Sequence, residues 1–108
     1  MTINLRKSEA KEPFSFIYVN AEGKTIVKSE NYSQKPSAKN GIESVRKNCQ
    51  DDARYEFKKS SNEKFFFNIK ATNAQFVGTS ALFVTEEERT AAIAELKVDS
   101  ADAKVSEV

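Results

Sequence analysis

The chain has 108 residues, 39% hydrophobic and 31% charged, a balance typical of one folded domain and not of a disordered segment. Its 17 basic and 16 acidic residues nearly cancel, which argues against a dedicated nucleic-acid-binding protein because such proteins carry a clear basic excess. Histidine is absent, so the commonest general base and the commonest metal ligand are both missing.

The cysteine content and the distribution of apolar residues indicate a cytoplasmic protein. Cys49 is the single cysteine, which excludes an intramolecular disulfide and fits a reducing compartment. The N-terminal segment MTINLRKSEAK lacks the apolar core of a signal peptide. No apolar run approaches the length needed to cross a membrane. We therefore expect a cytoplasmic location and no membrane partner.

Alternating apolar residues predict three short strands in the first half. The apolar positions of the first two strands are Ile3, Leu5, Phe14, Phe16 and Tyr18. This period-two pattern is weak for the first pair and clearer for the aromatic set, whose residue types favour β-strands. Gly23 suits a tight turn, and a third strand is expected from Lys24 to Ser29.

The period then changes to that of a helix. Ala38, Ile42, Val45 and Cys49 are spaced by four, three and four residues and so share one helical face. The Asn-Gly pair at positions 40 and 41 would signal a hairpin turn elsewhere, but here it falls inside the helical pattern. We interpret Gly41 as a small residue that lets the helix pack close to the sheet, at about 1 kcal/mol of lost helix propensity.

The second half repeats the first at a spacing of 51 residues, with no gap from Glu12 to Asp51. The identical pairs include Phe14 with Phe65, Phe16 with Phe67, Ser29 with Ser80, Ile42 with Ile93, and Asp51 with Asp102. Thr85 followed by three glutamates predicts a capped start for a second helix. Ahead of the second repeat, Tyr55 and Phe57 continue the alternation of Ile3 and Leu5, so we assign both to the core.

The repeat predicts an α+β fold. Two tandem β-β-β-α repeats (about 3–51 and 55–102) form an antiparallel sheet with two helices packed on one face. The whole of 1–108 is one domain that ends in a short C-terminal strand, because a repeat of this size cannot bury its apolar face alone. A one-residue slip of the hairpin register exchanges the two faces of a strand. The residues left unassigned for this reason are Ile26, Val27 and Val77.

Two stretches and the repeat itself resemble the YegP-like family, a domain of unknown function that is often duplicated within one chain. The stretches are NYSQKPSAKNGIESVRKN (31–48) and FFFNIKATNAQFVGTS (65–80). After Ser80 the second copy departs from this pattern and loses the Asn-Gly-Ile-Glu run. The resemblance implies two β-β-β-α repeats in a compact domain, and homodimers for single-repeat relatives. It supplies no activity, cofactor or catalytic residue.

The residues that carry chemistry form no catalytic pattern. Cys49 lies at the end of the first helix, where the helix dipole disfavours a thiolate, so we interpret it as a structural thiol, with a redox role as the alternative. Asp51 and Asp52 follow the first helix, and Asp99 and Asp102 follow the second. Paired carboxylates can bind a divalent cation, but no Asp-x-Asp-x-Asp-Gly loop is present. We expect no metal, no cofactor and no enzymatic activity.

Lysines close in sequence to aromatic residues are typical of surfaces that bind single-stranded nucleic acid. Weak binding of this kind is therefore an alternative function. The lysines are Lys58, Lys59, Lys64 and Lys70, and the aromatic residues are Tyr55, Phe57, Phe65 and Phe67. These aromatic residues match the core alternation, however, and Phe66 is the one aromatic residue expected to face away.

An unpartnered sheet face is the most informative feature for function. Ile17, Val19 and Phe66 lie opposite the core alternation, and with Lys70 they form our candidate surface for a protein partner. Scattered surface apolar residues are the alternative. A second hypothesis is a small-molecule-binding protein or enzyme with its site between the repeats. The internal pairing of repeats favours a monomer over a homodimer.

Overall fold

The computed structural model describes all 108 residues as seven β-strands and two α-helices. In chain order the elements are β1 (Thr2–Lys7), β2 (Phe14–Val19), β3 (Thr25–Lys28), α1 (Lys35–Asn48), β4 (Tyr55–Lys59), β5 (Phe65–Lys70), β6 (Phe76–Ser80), α2 (Glu86–Asp99) and β7 (Lys104–Glu107). A 3-10 turn, Asp52–Arg54, joins α1 to β4. The predicted pair of β-β-β-α units is confirmed.

All seven strands form one sheet, in the order β4-β5-β6-β3-β2-β1-β7. Neighbouring strands are antiparallel except β7, which runs parallel to β1. The sheet is therefore mixed, and the expectation of a wholly antiparallel sheet is wrong at this edge. The physical reason is the connection: β7 follows a helix, and such a crossover can return the chain parallel to a strand.

An approximate twofold axis relates the two halves. Lys28 on β3 pairs directly with Thr79 on β6, and these two residues are 51 positions apart. Cys49 and Ser100 are also 51 positions apart, and the Cys49 Sγ lies 3.2 Å from the Ser100 Oγ. Equivalent residues that touch one another must lie beside the axis. The axis therefore passes through the centre of the sheet and between the C-terminal ends of the helices.

The backbone contacts of one half recur in the other. Phe14 bridges to Tyr32 as Phe65 bridges to Phe83. The Phe16 N–H donates to the Ser29 Oγ at 2.9 Å, and the Phe67 N–H donates to the Ser80 Oγ at the same distance. The identical serine pair therefore ties the second strand of each unit to the end of the third: Ser29 directly follows β3, and Ser80 is the last residue of β6.

One core contains side chains from both halves. Phe16 and Tyr18 on β2, Phe67 on β5, Ile42 on α1 and Leu96 on α2 are all almost fully buried in it. Both helices thus cover the same face of the sheet, as predicted.

The strand register places all three unassigned residues in the core. Ile26, Val27 and Val77 are at most 8% exposed. The pairing of β2 with β3 shifts after Tyr18, and that of β5 with β6 shifts after Ile69. Such a bulge adds one residue to a strand, so two consecutive residues, as at positions 26 and 27, can both face the helices.

The glycine in α1 packs against the sheet as expected. A Cβ added at Gly41 would clash with the Tyr32 hydroxyl and lie 3.0 Å from the Phe16 ring. In the second half, Phe83 replaces Tyr32, and Ala92 takes the glycine position and is buried. Phe83 lacks the hydroxyl that would come nearest to the added methyl group, so the two differences favour each other; the ring carbon that bears this hydroxyl in Tyr32 would itself lie 2.9 Å from the Cβ.

The helix starts agree with the sequence signals. Pro36 stands in the first turn of α1. The Thr85 Oγ1 accepts a hydrogen bond from the Glu88 N–H at 3.1 Å, and three glutamates occupy the first turn of α2. Neither helix, at 14 residues each, is long and apolar enough to cross a membrane.

Candidate interaction surface

The four residues predicted as a partner surface lie on two strands of the sheet face opposite the helices. Ile17 and Val19 are on β2, whereas Phe66 and Lys70 are on β5. All four are half-buried. Strands β3 and β6 lie between these two strands, so at about 4.8 Å per strand the two groups are roughly 14 Å apart. The structure does not bring them into one apolar patch.

The grooves on the open face differ in character between the two halves. A groove of about 380 Å³ runs beside Phe66, and its other lining residues are Thr25, Lys28, Thr79, Ser80, Ala81 and Leu82. The matching groove of the first half, of about 360 Å³, is lined by Arg6, Ser15, Phe16, Ile17, Lys28, Ser29, Glu30 and Asn31. Polar Ser15 stands where the second half has Phe66, so the apolar character is not shared by the repeats.

The charge of Lys70 is engaged within the sheet. Its ammonium lies 3.0 Å from the Glu56 carboxylate, and the Lys58 ammonium lies 3.1 Å from the same group. Hydrogen bonds from these two lysines hold the pKa of Glu56 below its ordinary value. Two of the four lysines that suggested nucleic-acid binding are thus paired with an acid on the open face.

The side chains with potential for chemistry have structural partners. Cys49 is buried, and burial raises the pKa of its thiol. Asp51 accepts a hydrogen bond from the Ala53 N–H at 2.9 Å, and Asp52 pairs with Lys97. No three His, Cys, Asp or Glu side chains come together as metal ligands would. The carboxylates after α1 therefore organise the turn that leads into β4.

The equivalent strands β1 and β4 differ in whether another strand covers their outer side. Leu5 on β1 pairs with Phe16, and Phe57 on β4 pairs with Phe67, so Leu5 and Phe57 are equivalent. Strand β7 covers the edge of β1, and Leu5 is 3% exposed. Strand β4 ends the sheet, and Phe57 is 57% exposed. The assignment of Phe57 to the core is therefore wrong, because no strand covers this edge; Tyr55 is buried as expected.

A groove opens between the free edge of β4 and helix α2. Its volume is about 480 Å³, and it is lined by Asp52, Tyr55, Phe57, Thr90, Ile93, Ala94 and Lys97. In the first half, the helix positions matching Thr90, Ile93 and Ala94 line a cavity with Val105 and Glu107 of β7. They are Lys39, Ile42 and Glu43. The groove is thus the place that β7 occupies in the other half.

Two cations flank the aromatic side chains of this groove. The Arg89 guanidinium lies 4.7 Å from the centre of the Phe57 ring, and its Nη1 donates to the Lys58 carbonyl oxygen at 3.3 Å. The Lys97 ammonium lies 5.8 Å from the Tyr55 ring centre. The groove therefore has an apolar floor and cationic ends, and burial raises the pKa of the Tyr55 hydroxyl well above its ordinary value.

The backbone of β4 presents free hydrogen-bonding groups at this edge. At the hairpin end of β4, the Ser60 N–H donates to the Lys64 carbonyl oxygen at 2.8 Å. Alternate residues of an antiparallel strand face the same neighbour, and the pairing of β4 with β5 has no irregularity. Glu56 and Lys58 therefore bond to β5, whereas the N–H and C=O of Phe57 and Lys59 and the C=O of Tyr55 point outward, ready for another strand. The Tyr55 N–H donates to the Asp52 carbonyl oxygen.

The sequence contained a signal for this edge. The strand that opens each repeat occurs three times, as β1, β4 and β7, although there are only two repeats. Two equivalent edges with one extra strand must leave one edge open. The alternation of Tyr55 and Phe57 could not show which edge this is, because alternation reports the face of a strand and not its neighbours.

Comparison with known proteins identifies the family. The domain of unknown function DUF1508 matches residues 13–56 and 60–107 of the chain, once for each repeat. A UPF0339 protein encoded 5′ of the ptx operon of Stutzerimonas stutzeri is 45% identical over 107 residues, which cover 99% of this chain and 96% of that one. UPF0339 protein YegP of Escherichia coli K12 is 42% identical over 94 residues, covering 87% and 86% of the two chains.

Two solution NMR structures have the same fold. The structure of E. coli YegP, a protein of unknown function, superposes with a TM-score of 0.89 at 40% identity and covers 98% of this chain and 90% of its own. A UPF0339 protein of Shewanella oneidensis gives 0.90 at 33% identity, with 98% and 89% covered. No specific activity is attached to these relatives by name. The resemblance to YegP-like proteins is confirmed, and the chain belongs to the DUF1508 family.

Proposed function

We propose that this protein is a non-enzymatic interaction module that binds an extended segment of a partner protein as an additional strand on β4. The observation that carries the proposal is the exposure of Phe57 at a free sheet edge, where its equivalent Leu5 is covered by β7. An exposed edge with unpaired backbone groups binds extended chains readily.

The molecule itself supports this mode of binding. On β1, four residues of β7 pair in parallel from Thr2 to Leu5, and the Val108 N–H adds a bond to the Leu5 carbonyl oxygen at 2.9 Å. Main-chain hydrogen bonds supply affinity in strand addition, and side-chain pockets supply specificity. Beside β4 both are available, as the outward amides and as the groove under α2. We place this activity in the cytoplasm and in a monomer, in keeping with the single free thiol and the internal pairing of the repeats.

A small-molecule site between the repeats is the second candidate. A cavity of about 470 Å³ contains residues of both halves, among them Glu22, Lys24, Glu88 and Glu95. It is wide and lies at the surface beside α2, away from the axis, so it surrounds a ligand poorly. Nucleic-acid binding ranks below it, because two of the relevant lysines pair with Glu56.

The test compares two substitutions at one position. Phe57→Ala removes the aromatic side chain, whereas Phe57→Pro also removes the outward N–H, which an edge strand tolerates. Tagged variants are expressed in the native host, captured proteins are identified, and hydrogen exchange is measured with and without the purified partner. We expect Phe57→Ala to weaken capture, Phe57→Pro to abolish it, and the partner to slow exchange at Phe57 and Lys59.

Val19→Ser and Phe66→Ser are the matched controls on the opposite sheet face, and thermal unfolding verifies that every variant folds. Capture that survives Phe57→Pro but fails in the control variants would move the interaction to the open face and overturn the proposal.

A further inference from the structure

We infer that the partner segment lies parallel to β4 and carries a branched apolar residue beside Tyr55 and a lysine or arginine two residues later, beside Phe57. This inference rests on the proposed strand addition and names the chemistry of the segment that adds. The template is β7, the one strand of this molecule that occupies the equivalent position.

The orientation and the apolar residue follow from the template. Strand β7 runs parallel to β1, with Val105 beside Ile3 and Glu107 beside Leu5. Val105 also borders Ile42 of α1. The equivalents of Ile3 and Ile42 are Tyr55 and Ile93, which line the open groove. A valine or isoleucine placed like Val105 would therefore contact an apolar floor on both sides.

The basic residue follows from a charge difference between the helices. In the first half, Lys35 pairs with Glu107, and Lys39 adds to the positive potential around that carboxylate. The equivalents in α2 are Glu86 and Thr90, so one cation is replaced by an anion and the other by a neutral residue. An acidic residue at this position meets repulsion from Glu86, whereas a basic one meets attraction.

The nearby arginine does not cancel this preference. Arg89 stacks on Phe57, and its Nη1 donates to a backbone carbonyl oxygen, whereas its contact with Glu86 is long, at 3.9 Å. Glu86 is 66% exposed, so its carboxylate can accept an incoming cation alongside this long contact. The same rule disfavours the β7 segment of a second copy, because its Glu107 would approach Glu86. The chain's own C-terminal segment is therefore a poorer match for this edge than a segment with a lysine in place of Glu107.

Two peptides test the charge requirement. They are AKVSEV, the sequence of residues 103–108, and AKVSKV, in which Glu107 is replaced by lysine, each with blocked ends. Both are titrated into the ¹⁵N-labelled full-length protein, and amide shifts of β4 are followed. We expect AKVSKV to bind about 5-fold more tightly than AKVSEV, with a smaller difference at high salt. In the variant Glu86→Lys/Thr90→Lys, which restores the lysines of the first half at exposed positions, the preference is expected to reverse.

The outcomes separate the inference from the proposed function. Equal binding of both peptides at β4 would leave strand addition standing and overturn the charge requirement. Absence of β4 shifts with either peptide at millimolar concentration, or a preference unchanged in the double-lysine variant, would overturn the inference, while the Phe57 substitutions decide the function independently. A spin label on the N-terminus of AKVSKV should broaden Tyr55 more than Lys59, and the opposite gradient would refute the parallel orientation.

Discussion

The strands that open the two repeats, β1 and β4, are equivalent in sequence position and opposite in environment. Leu5 and Phe57 each stand two residues after a buried residue, Ile3 and Tyr55, yet Leu5 is covered by β7 and Phe57 is exposed. Duplication of a β-β-β-α unit produces two equivalent edges, and the single extra strand closes one of them. The difference shows that a residue can keep its place in a repeat and lose its place in the core.

The two helices also differ in charge, and this difference corresponds to the presence of β7 beside β1 and its absence beside β4. Helix α1 carries Lys35 where its surface meets Glu107 of β7, whereas α2 has Glu86 at the equivalent position. In the first half, which binds β7, the positive charge of Lys35 attracts Glu107 of that strand. The half with the open edge has the charge that repels it, which keeps the open edge available.

The largest effect on stability is expected from substitutions of Arg46 and Lys97. These residues are equivalent in the repeat but have different contacts. Arg46 donates to the carbonyl oxygens of Ser100, Ala101 and Ala103, each at 2.8 Å, and so binds the end of α2 to the other half. Arg46→Met should lower the free energy of unfolding by about 3 kcal/mol, because three carbonyl oxygens, two of them in part-buried hydrogen bonds, lose a charged donor.

Lys97→Met is the matched control. Lys97 pairs with the exposed Asp52, so about 0.5 kcal/mol is expected for its removal. Urea unfolding of both variants measures the comparison. Equal losses of unfolding free energy in the two variants would mean that Arg46 and Lys97 stabilise the C-terminal ends of the two helices to the same extent.

A smaller effect on stability is expected from substitutions at Gly41 of α1 and at Tyr32, which packs against it. Gly41→Ala should destabilise the protein by about 1 kcal/mol, because roughly 2 kcal/mol of crowding against Tyr32 outweighs about 1 kcal/mol gained in helix propensity. In the Tyr32→Phe background, which reproduces the Phe83 and Ala92 arrangement, the same substitution should be neutral or stabilising. A double-mutant cycle by urea unfolding measures the coupling, and additive effects would refute the compensation.

The smallest effect is a pH dependence of the closed edge. The hydrogen bond from Lys35 holds the pKa of Glu107 below its ordinary value of 4.5. A depressed pKa means that the stabilisation is complete above pH 4.5 and is lost as the pH falls through the lower value of the folded state. Amide exchange of β7 should therefore become less protected in that acidic range. In Glu107→Gln this change should disappear, and an identical profile in both proteins would contradict the role of the ion pair.

Much of the fold could be predicted from local patterns. The spacing of Ala38, Ile42 and Val45 indicated α1, and the threonine and glutamates at positions 85–88 indicated the start of α2. The repeat showed that one unit is used twice, and Gly41 indicated close packing of helix and sheet. These features depend on neighbours within a few residues or on identity between copies, both of which are visible in a sequence.

The candidate site could be predicted much less well. Ile17 and Phe66 were placed correctly on the open face of the sheet, but the order of strands separates them. Phe57 was assigned to the core on its alternation, and the missing neighbour of β4 exposes it. Distances between strands and the coverage of an edge depend on which segments pair across the sheet, and a local pattern does not record this.

By itself, the sequence determined that two β-β-β-α units share one core, because each unit alternates its apolar residues at the periods of strands and helices. Only the tertiary structure decided that β7 pairs with β1 and leaves β4 open. The physical reason is that backbone hydrogen bonding between strands is nearly independent of side-chain identity, so the choice of partner is made by the path of the chain and the charges it meets.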